Sequence, residues 1–135
     1  MGGGGLEALK HVYLDTHVAV WLHDGLVDKL TAAAKEAIEA GELLISPMVY
    51  LEFAYLRQRG RVRFSASELY TNLSVSFGVS LCRQGFPGEA AAATELEWTN
   101  DPFDRMIVAQ SQCDANSQLI TADRVILSNY DRAIW

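Results

Sequence analysis

Short apolar runs that stop at an acid, separated by helix-forming stretches, limit this chain more than any other feature. His11-Val12-Tyr13-Leu14 runs into Asp15, and Gln118-Leu119-Ile120-Thr121 stops two residues before Asp123. Runs this short and this apolar suit strands buried on both faces, as in a parallel sheet covered by helices. Leu43-Leu44-Ile45 reads the same way. Each run leads into a helical signal. A turn of helix fits Val18 to Leu22, and a clearer one has Thr31 as N-cap, Ala32 to Ala40 as body and Gly41 as its stop. Ser46-Pro47 is a cap followed by proline at the first helical position, opening a helix with Val49, Tyr50, Phe53, Ala54 and Leu56 at helical spacing that ends by Gly60.

The second half continues the alternation. Ser65 and Glu68 have capping-box spacing, which predicts a helix to about Leu73, and Val75 to Leu81 alternates like a strand. Pro87 to Trp98 is alanine-rich and predicts a helix. Asp101-Pro102 repeats the cap-proline signal for a helix to about Cys113, and Ala133-Ile134-Trp135 suits a last short strand. Strands alternating with helices imply an α/β fold whose mainly parallel central sheet carries helices on both faces. The 135 residues fit one domain, residues 11–135, behind a glycine-rich stretch, residues 1–10, that reads as a flexible leader. That leader has Leu6 where a myristoylation signal needs Ser or Thr.

Composition narrows the function. Half the residues are apolar, enough for a core, and the formal net charge of −6 is the wrong sign for a general polyanion binder. Any phosphate-binding surface is therefore local, or depends on carboxylates whose field a cation reverses. Cys82 and Cys113 lack zinc-site spacing and are expected to be buried thiols in a reducing compartment. No apolar stretch approaches membrane-spanning length and no secretory signal opens the chain, so a soluble, cytoplasmic protein is expected.

Ligands of open parallel sheets gather at the carboxyl ends of strands, where Asp15 and Asp123 both fall. Glu52 lies about a turn and a half into the helix opened by Pro47. Its apolar neighbours, Met48 to Leu51 and Phe53-Ala54, make it costly to bury without a partner. Asp104 lies in the first turn of the helix at Pro102, and Asp101 is most simply that helix's N-cap. Singly, Asp15 also reads as a strand end, Asp123 as a turn residue and Asp104 as a complement to the helix dipole. Converging, the four would repel one another unless a divalent ion neutralised them. Oxygen donors favour Mg²⁺ or Mn²⁺, which acidify bound water and stabilise charge on a phosphodiester under attack. Thr16 and Thr121 stand beside these acids, where a hydroxyl can orient a carboxylate or simply cap a turn.

Leu14-Asp15-Thr16-His17, Ser46 to Glu52, Asn100 to Gln110 with its Asp-Pro-Phe-Asp-Arg run, and Leu119 to Asp123 resemble the ordered motifs of the PIN-domain family, and most closely its VapC-like branch. The likeness spans His11 to Trp135. It implies a three-layer α/β/α fold and a Mg²⁺- or Mn²⁺-dependent endoribonuclease that cleaves RNA with a metal-activated water. It also implies ligand roles for Asp15, Glu52, Asp104 and Asp123, with Asp101 as an extra. Relatives of this branch are homodimeric toxins whose partner antitoxin blocks the acidic pocket. Residues 60–98 match only in length and pattern, so no role transfers there.

Arg57, Arg59, Arg61 and Arg63 form a local basic run that either holds RNA phosphates or is a solvated helix end with cations near its C-terminus. Arg105 and Arg124 adjoin the acids, where they can position a phosphate or pair with a carboxylate. His11, His17 and His23 lack helical zinc spacing and are assigned no catalysis. A phosphatase with Asp15 as nucleophile should carry a second acid two residues on, where this chain has His17. A phospho-acceptor domain needs a lysine near the last strands, and none follows Lys35. The remaining alternative is a catalytically silent PIN-like scaffold that binds RNA or a protein partner, against which the presence of all four acids argues.

Overall fold

The structure, a computed structural model, describes residues 10–135; the proposed leader therefore lies almost wholly outside the described residues. Five strands, β1 (His11–Leu14), β2 (Glu42–Ile45), β3 (Ser80–Leu81), β4 (Ser117–Ile120) and β5 (Ala133–Ile134), form one sheet in the order β3-β2-β1-β4-β5. Every pairing is parallel, with Val12 beside Leu43 and Gln118, and Leu14 beside Ile120. Among the described residues seven α-helices connect and cover it as the outer layers of an α/β/α sandwich: α1 (Thr16–His23), α2 (Ala32–Ala40), α3 (Pro47–Gln58), α4 (Ala66–Phe77), α5 (Phe86–Ala93), α6 (Pro102–Gln112) and α7 (Arg124–Asn129).

Parallel strands need both faces covered, and the central ones are. Val12, Tyr13, Leu14, Ile45, Leu119 and Ile120 are all essentially inaccessible to solvent. Helix α3 adds Val49, Phe53 and Leu56, spaced four and three apart so that they share one buried face. Truncating Phe53 to alanine at such a site costs on the order of 3–5 kcal/mol. Between α2 and β2 the chain passes so close to β1 that a Cβ on Gly41 would lie 2.3 Å from Val12 Cγ2 and 2.8 Å from the Lys10 carbonyl, which explains the glycine at this stop.

Chain direction across the sheet reverses once. From β1 it moves outward through β2 to β3, then returns past β1 to β4 and β5. The reversal falls between β1 and β4, where connections leave toward opposite edges and a crevice opens at the strands' carboxyl ends. Asp15 and Asp123 come just after those two strands.

Four expectations from the sequence need correction. Val75 to Phe77 belongs to α4, not to a strand: the Ser65–Glu68 capping box starts the helix, Leu69 and Leu73 anchor it, and Gly78 ends it at φ 71°. Val75 is 82% exposed, so its place in the alternation reflects no core contact, and β3 is confined to Ser80–Leu81. Helix α5 ends at Ala93 rather than Trp98, because the Thr94 hydroxyl donates back to the Ala91 carbonyl at 2.6 Å and Leu96 turns into the core. Helix α7 has no counterpart among the expected elements; Asp123 caps it, accepting from the Val125 and Ile126 amides at 2.8 and 3.1 Å. Cys82 is buried as expected, but Cys113, at the C-terminal cap of α6, is exposed.

Candidate active site

The end of β1 fixes the first acid. Asp15 N–H donates to the Ile120 carbonyl at 3.0 Å, which sets it beside the end of β4. Its backbone is extended and its Oδ1 accepts the Thr16 amide at 2.8 Å, so Asp15 is the N-cap of α1, which begins two residues earlier than periodicity suggests. Oδ2 accepts the Thr121 hydroxyl at 2.6 Å. That hydroxyl, itself fully buried, also accepts the Asp123 N–H at 3.0 Å. One threonine therefore ties the two strand-end aspartates together. On the other side the Thr16 hydroxyl donates to Glu52 Oε1, bringing α3 into the same network. Both threonines thus hold acids in place.

The remaining two acids come from one helix start. Asp101 caps α6, its Oδ1 accepting the Phe103 amide at 2.8 Å and the Asp104 amide at 3.3 Å. Asp104 is half-buried one turn on. All five, Asp15, Glu52, Asp101, Asp104 and Asp123, line a single cavity of about 300 Å³, together with His17, Trp21 and Ala122.

The electrostatics reflect that crowding. Burial raises the Asp15 carboxyl above its ordinary range, while the Thr121 hydroxyl and Thr16 amide pull it down. Glu52 is raised, by burial first and then by Asp15 and Asp101, against the lowering bond from Thr16. Asp104 is pushed up to about 7, by burial and then by Asp101, Asp15, Asp123 and Glu52. Among the described residues no lysine or arginine lines the cavity. Such a site has excess negative charge that its own residues leave uncompensated, and it attracts cations.

A family model described as the PIN domain matches residues 12–133, nearly the whole chain. The chain belongs to the PIN-domain family. Within it the VapC-like branch is indicated by Ribonuclease VapC22 of Mycobacterium tuberculosis, 31% identical over 121 residues that cover 87% of this chain and 91% of the relative. The crystal structure of VapBC2 from Rickettsia felis, bound to a DNA fragment from their promoter, superposes with a TM-score of 0.61 over 93% of this chain and 97% of that one; at 15% identity it supports the fold.

In this PIN domain the acidic cavity suits a hard cation by its donor chemistry, since five carboxylates offer oxygen and, among the described residues, His17 is the one nitrogen-bearing side chain apart from Trp21 and no thiol lines it. Among the described residues no three His, Cys, Asp or Glu side chains sit tightly enough to grip one ion together. Mg²⁺ does not require that, because it keeps several waters and commonly takes one or two protein carboxylates. The six arginines singled out in the sequence lie elsewhere. Arg57 and Arg59 finish α3, Arg61 and Arg63 come after it, all four are exposed, and Arg124 is exposed at the start of α7. Arg105 donates through Nε to the Thr99 carbonyl at 2.7 Å, bracing the turn before α6.

His17 and Trp21 line the cavity without having stood out in the sequence. They sit four apart on the exposed face of α1, a pairing that becomes visible only once Asp15 is recognised as the cap that starts the helix at Thr16. Among the described residues no helix is long and apolar enough to cross a membrane.

Proposed function

We propose that this PIN domain is an endoribonuclease that hydrolyses RNA phosphodiesters with Mg²⁺ or Mn²⁺, and that it is the toxin of a toxin–antitoxin pair acting in the cytoplasm. One observation carries the reading: five carboxylates with no compensating lysine or arginine line one cavity at the sheet's reversal point. Buried like charges of this kind are retained against their cost where they bind a cation and a substrate that comes with it. Ribonuclease VapC22, the 31% identical relative, supports the activity by its name. The VapBC2 structure, sharing this fold, supports pairing with an antitoxin; a homodimer is the expected form of the toxin itself.

Each chain residue has a defined part. Asp15, Glu52, Asp104 and Asp123, with Asp101 at the rim, would hold the ion. Thr16 and Thr121 keep Glu52 and Asp15 aimed into the cavity by the bonds their hydroxyls donate. The bound ion supplies a more acidic water and positive charge beside the phosphodiester. Asp104, whose carboxyl is raised to about 7 by burial and the acids around it, is the ligand whose ionisation gains most from the neutralising ion.

The test is cleavage of a structured RNA by the purified protein in Mg²⁺ or Mn²⁺. Asp15→Asn and Asp104→Asn should each reduce cleavage by roughly 10²–10³-fold with unchanged circular dichroism. Cleavage that persists in chelator rejects the metal-dependent reading. Metal-independent RNA binding with no cleavage in any divalent ion would point to the silent scaffold instead.

A further inference from the structure

The acidic cavity has a neighbour of opposite character. A second cavity of about 240 Å³ shares His17 and Trp21 with it and continues along α1 past Asp24 to Lys29 and Arg61. His17, Trp21 and Asp24 are spaced four and three apart, so one exposed helix face floors both cavities. Lys29 and Arg61 are both exposed, and among the described residues neither forms an ion pair with a carboxylate. Asp24, the one acid among the described residues of this second cavity, accepts a bond from His23 Nδ1 at 2.9 Å. The Lys29 ammonium lies 5.3 Å from the centre of the Trp21 ring, a cation–π contact that keeps it at the groove rather than out in solvent. The rest of the wall includes Val20, Leu26, Leu56 and Val62.

We infer that this groove is the track for single-stranded RNA beside the scissile phosphate, with Lys29 and Arg61 as phosphate contacts and Trp21 as the apolar surface on which the adjoining nucleotide rests. The inference rests on the nuclease reading above for its substrate. A protein of net charge −6 must hold a polyanion through local cations, and this is the cavity contiguous with the acids that supplies two of them. Charge pattern and wall fit a single strand: phosphates need separated cations, and unpaired bases need apolar or aromatic faces. The arrangement also separates the basic run by role, since Arg61 lines this groove while Arg57 and Arg59 do not.

The experiment is fluorescence anisotropy with a labelled, mixed-sequence, unstructured oligoribonucleotide, in Ca²⁺ to offset the acids, across a salt series. Lys29→Ala and Arg61→Ala should each weaken binding by about five- to tenfold and reduce the steepness of the salt dependence by about 0.7 per contact removed. Arg61→Lys should keep the salt dependence. Arg83→Ala, in the separate cavity around His11 and Asp114, should change nothing. The proposal is overturned if wild-type protein does not bind, if the Lys29→Ala/Arg61→Ala double variant binds with wild-type affinity and salt dependence, or if Arg83→Ala loses as much as either. Cleavage run in parallel in Mn²⁺ separates the two readings. Binding lost in the groove variants, with no cleavage by wild type, keeps the groove and removes the nuclease. Cleavage with an unchanged KM in the double variant does the reverse.

Discussion

Two aspartates of this fold are buried to nearly the same degree, Asp15 at 8% exposure and Asp114 at 9%, and they are treated in opposite ways. Asp114 lies near the amino ends of β1 and β4, where His11 Nδ1 meets its Oδ2 at 2.6 Å and the Tyr13 hydroxyl donates to the same oxygen at 2.9 Å. The Tyr13 hydroxyl also reaches Cys82 Sγ at 3.1 Å, and burial first, then Cys82 and Asp114, raises that phenol well above its ordinary range. Here the His11 ring, whose Nε2 also meets Glu42 Oε2 at 3.3 Å, and the Tyr13 hydroxyl give Asp114 its partners within the fold, and the cluster asks for nothing from outside. Asp15, at the carboxyl ends, is held by two hydrogen bonds but faces four further acids. The same sheet thus carries a closed polar network at one end and an open, uncompensated one at the other. Only the second needs a ligand to be electrostatically content, and that difference is what supports the role proposed for Asp15.

The comparison breaks most sharply by removing charge at each end. Asp15→Asn or Asp104→Asn should cost roughly 10²–10³-fold in RNA cleavage, and Asp104→Asn should leave the metal-free protein at least as stable, since a repelling charge has gone. Asp114→Ala should do the converse. It strands the Tyr13 hydroxyl and the His11 ring, so denaturant unfolding should show a loss of about 1–3 kcal/mol, while cleavage per folded molecule stays near wild type. Equal cleavage losses at both ends would erase the distinction.

The pH dependence of stability sharpens it further. Asp104 has a folded-state pKa of about 7, above the ordinary value of about 4 in the unfolded chain, and Asp15 and Glu52 are raised as well. Between those two values the folded state holds the proton that the unfolded state has lost, so stability falls as pH rises through the window. In chelator, thermal unfolding from about pH 5 to about pH 8 should therefore show a decline of roughly 1–2 kcal/mol, discounted for the partial exposure of Asp104. Added Mg²⁺ or Mn²⁺ should flatten the curve at the high end, because the ion binds the ionised carboxylates that protons would otherwise occupy. A metal-free protein that gained stability over this range would show the acids to be compensated after all.

Much of this is legible in the chain, and the reasons differ by residue. Asp15 and Asp123 can be placed because an apolar run of strand length leaves little freedom in where its polar successor emerges. Glu52 stands out because a carboxylate inside an apolar helix face is too costly to leave without a purpose. Other features depend on which of two local patterns wins. Val75 to Leu81 alternates well enough for a strand, but the capping box and the Leu69–Leu73 pair commit the segment to helix through Phe77. Helix α7 is hidden because Asp123 reads as a strand end, while the same carboxylate also caps the helix behind it. His17 and Trp21 escape for a related reason, their common face depending on a helix start that Asp15 sets. In each case one residue serves two elements, and a reading of segments one at a time assigns it only once.

Thr121 offers the finest test, because it acts entirely through the acids it holds. Its hydroxyl donates to Asp15 Oδ2 and accepts from the Asp123 amide, and the residue has no exposure of its own. Thr121→Val keeps the shape and removes both bonds. It frees Asp15 to rotate and leaves the Asp123 N–H without that acceptor. Ligand-orienting partners of this kind are worth about tenfold in metal affinity or activity at the low end of their range. Thr121→Val should therefore raise the Mn²⁺ concentration needed for half-maximal cleavage by about tenfold, with near-wild-type cleavage recovered at saturating ion. Thr121→Ser, which restores the hydroxyl, should restore the metal dependence. A valine variant whose metal dependence matches wild type would show that Asp15 is held by its α1 cap alone, and that the open end of the sheet is less finely organised than its hydrogen bonds imply.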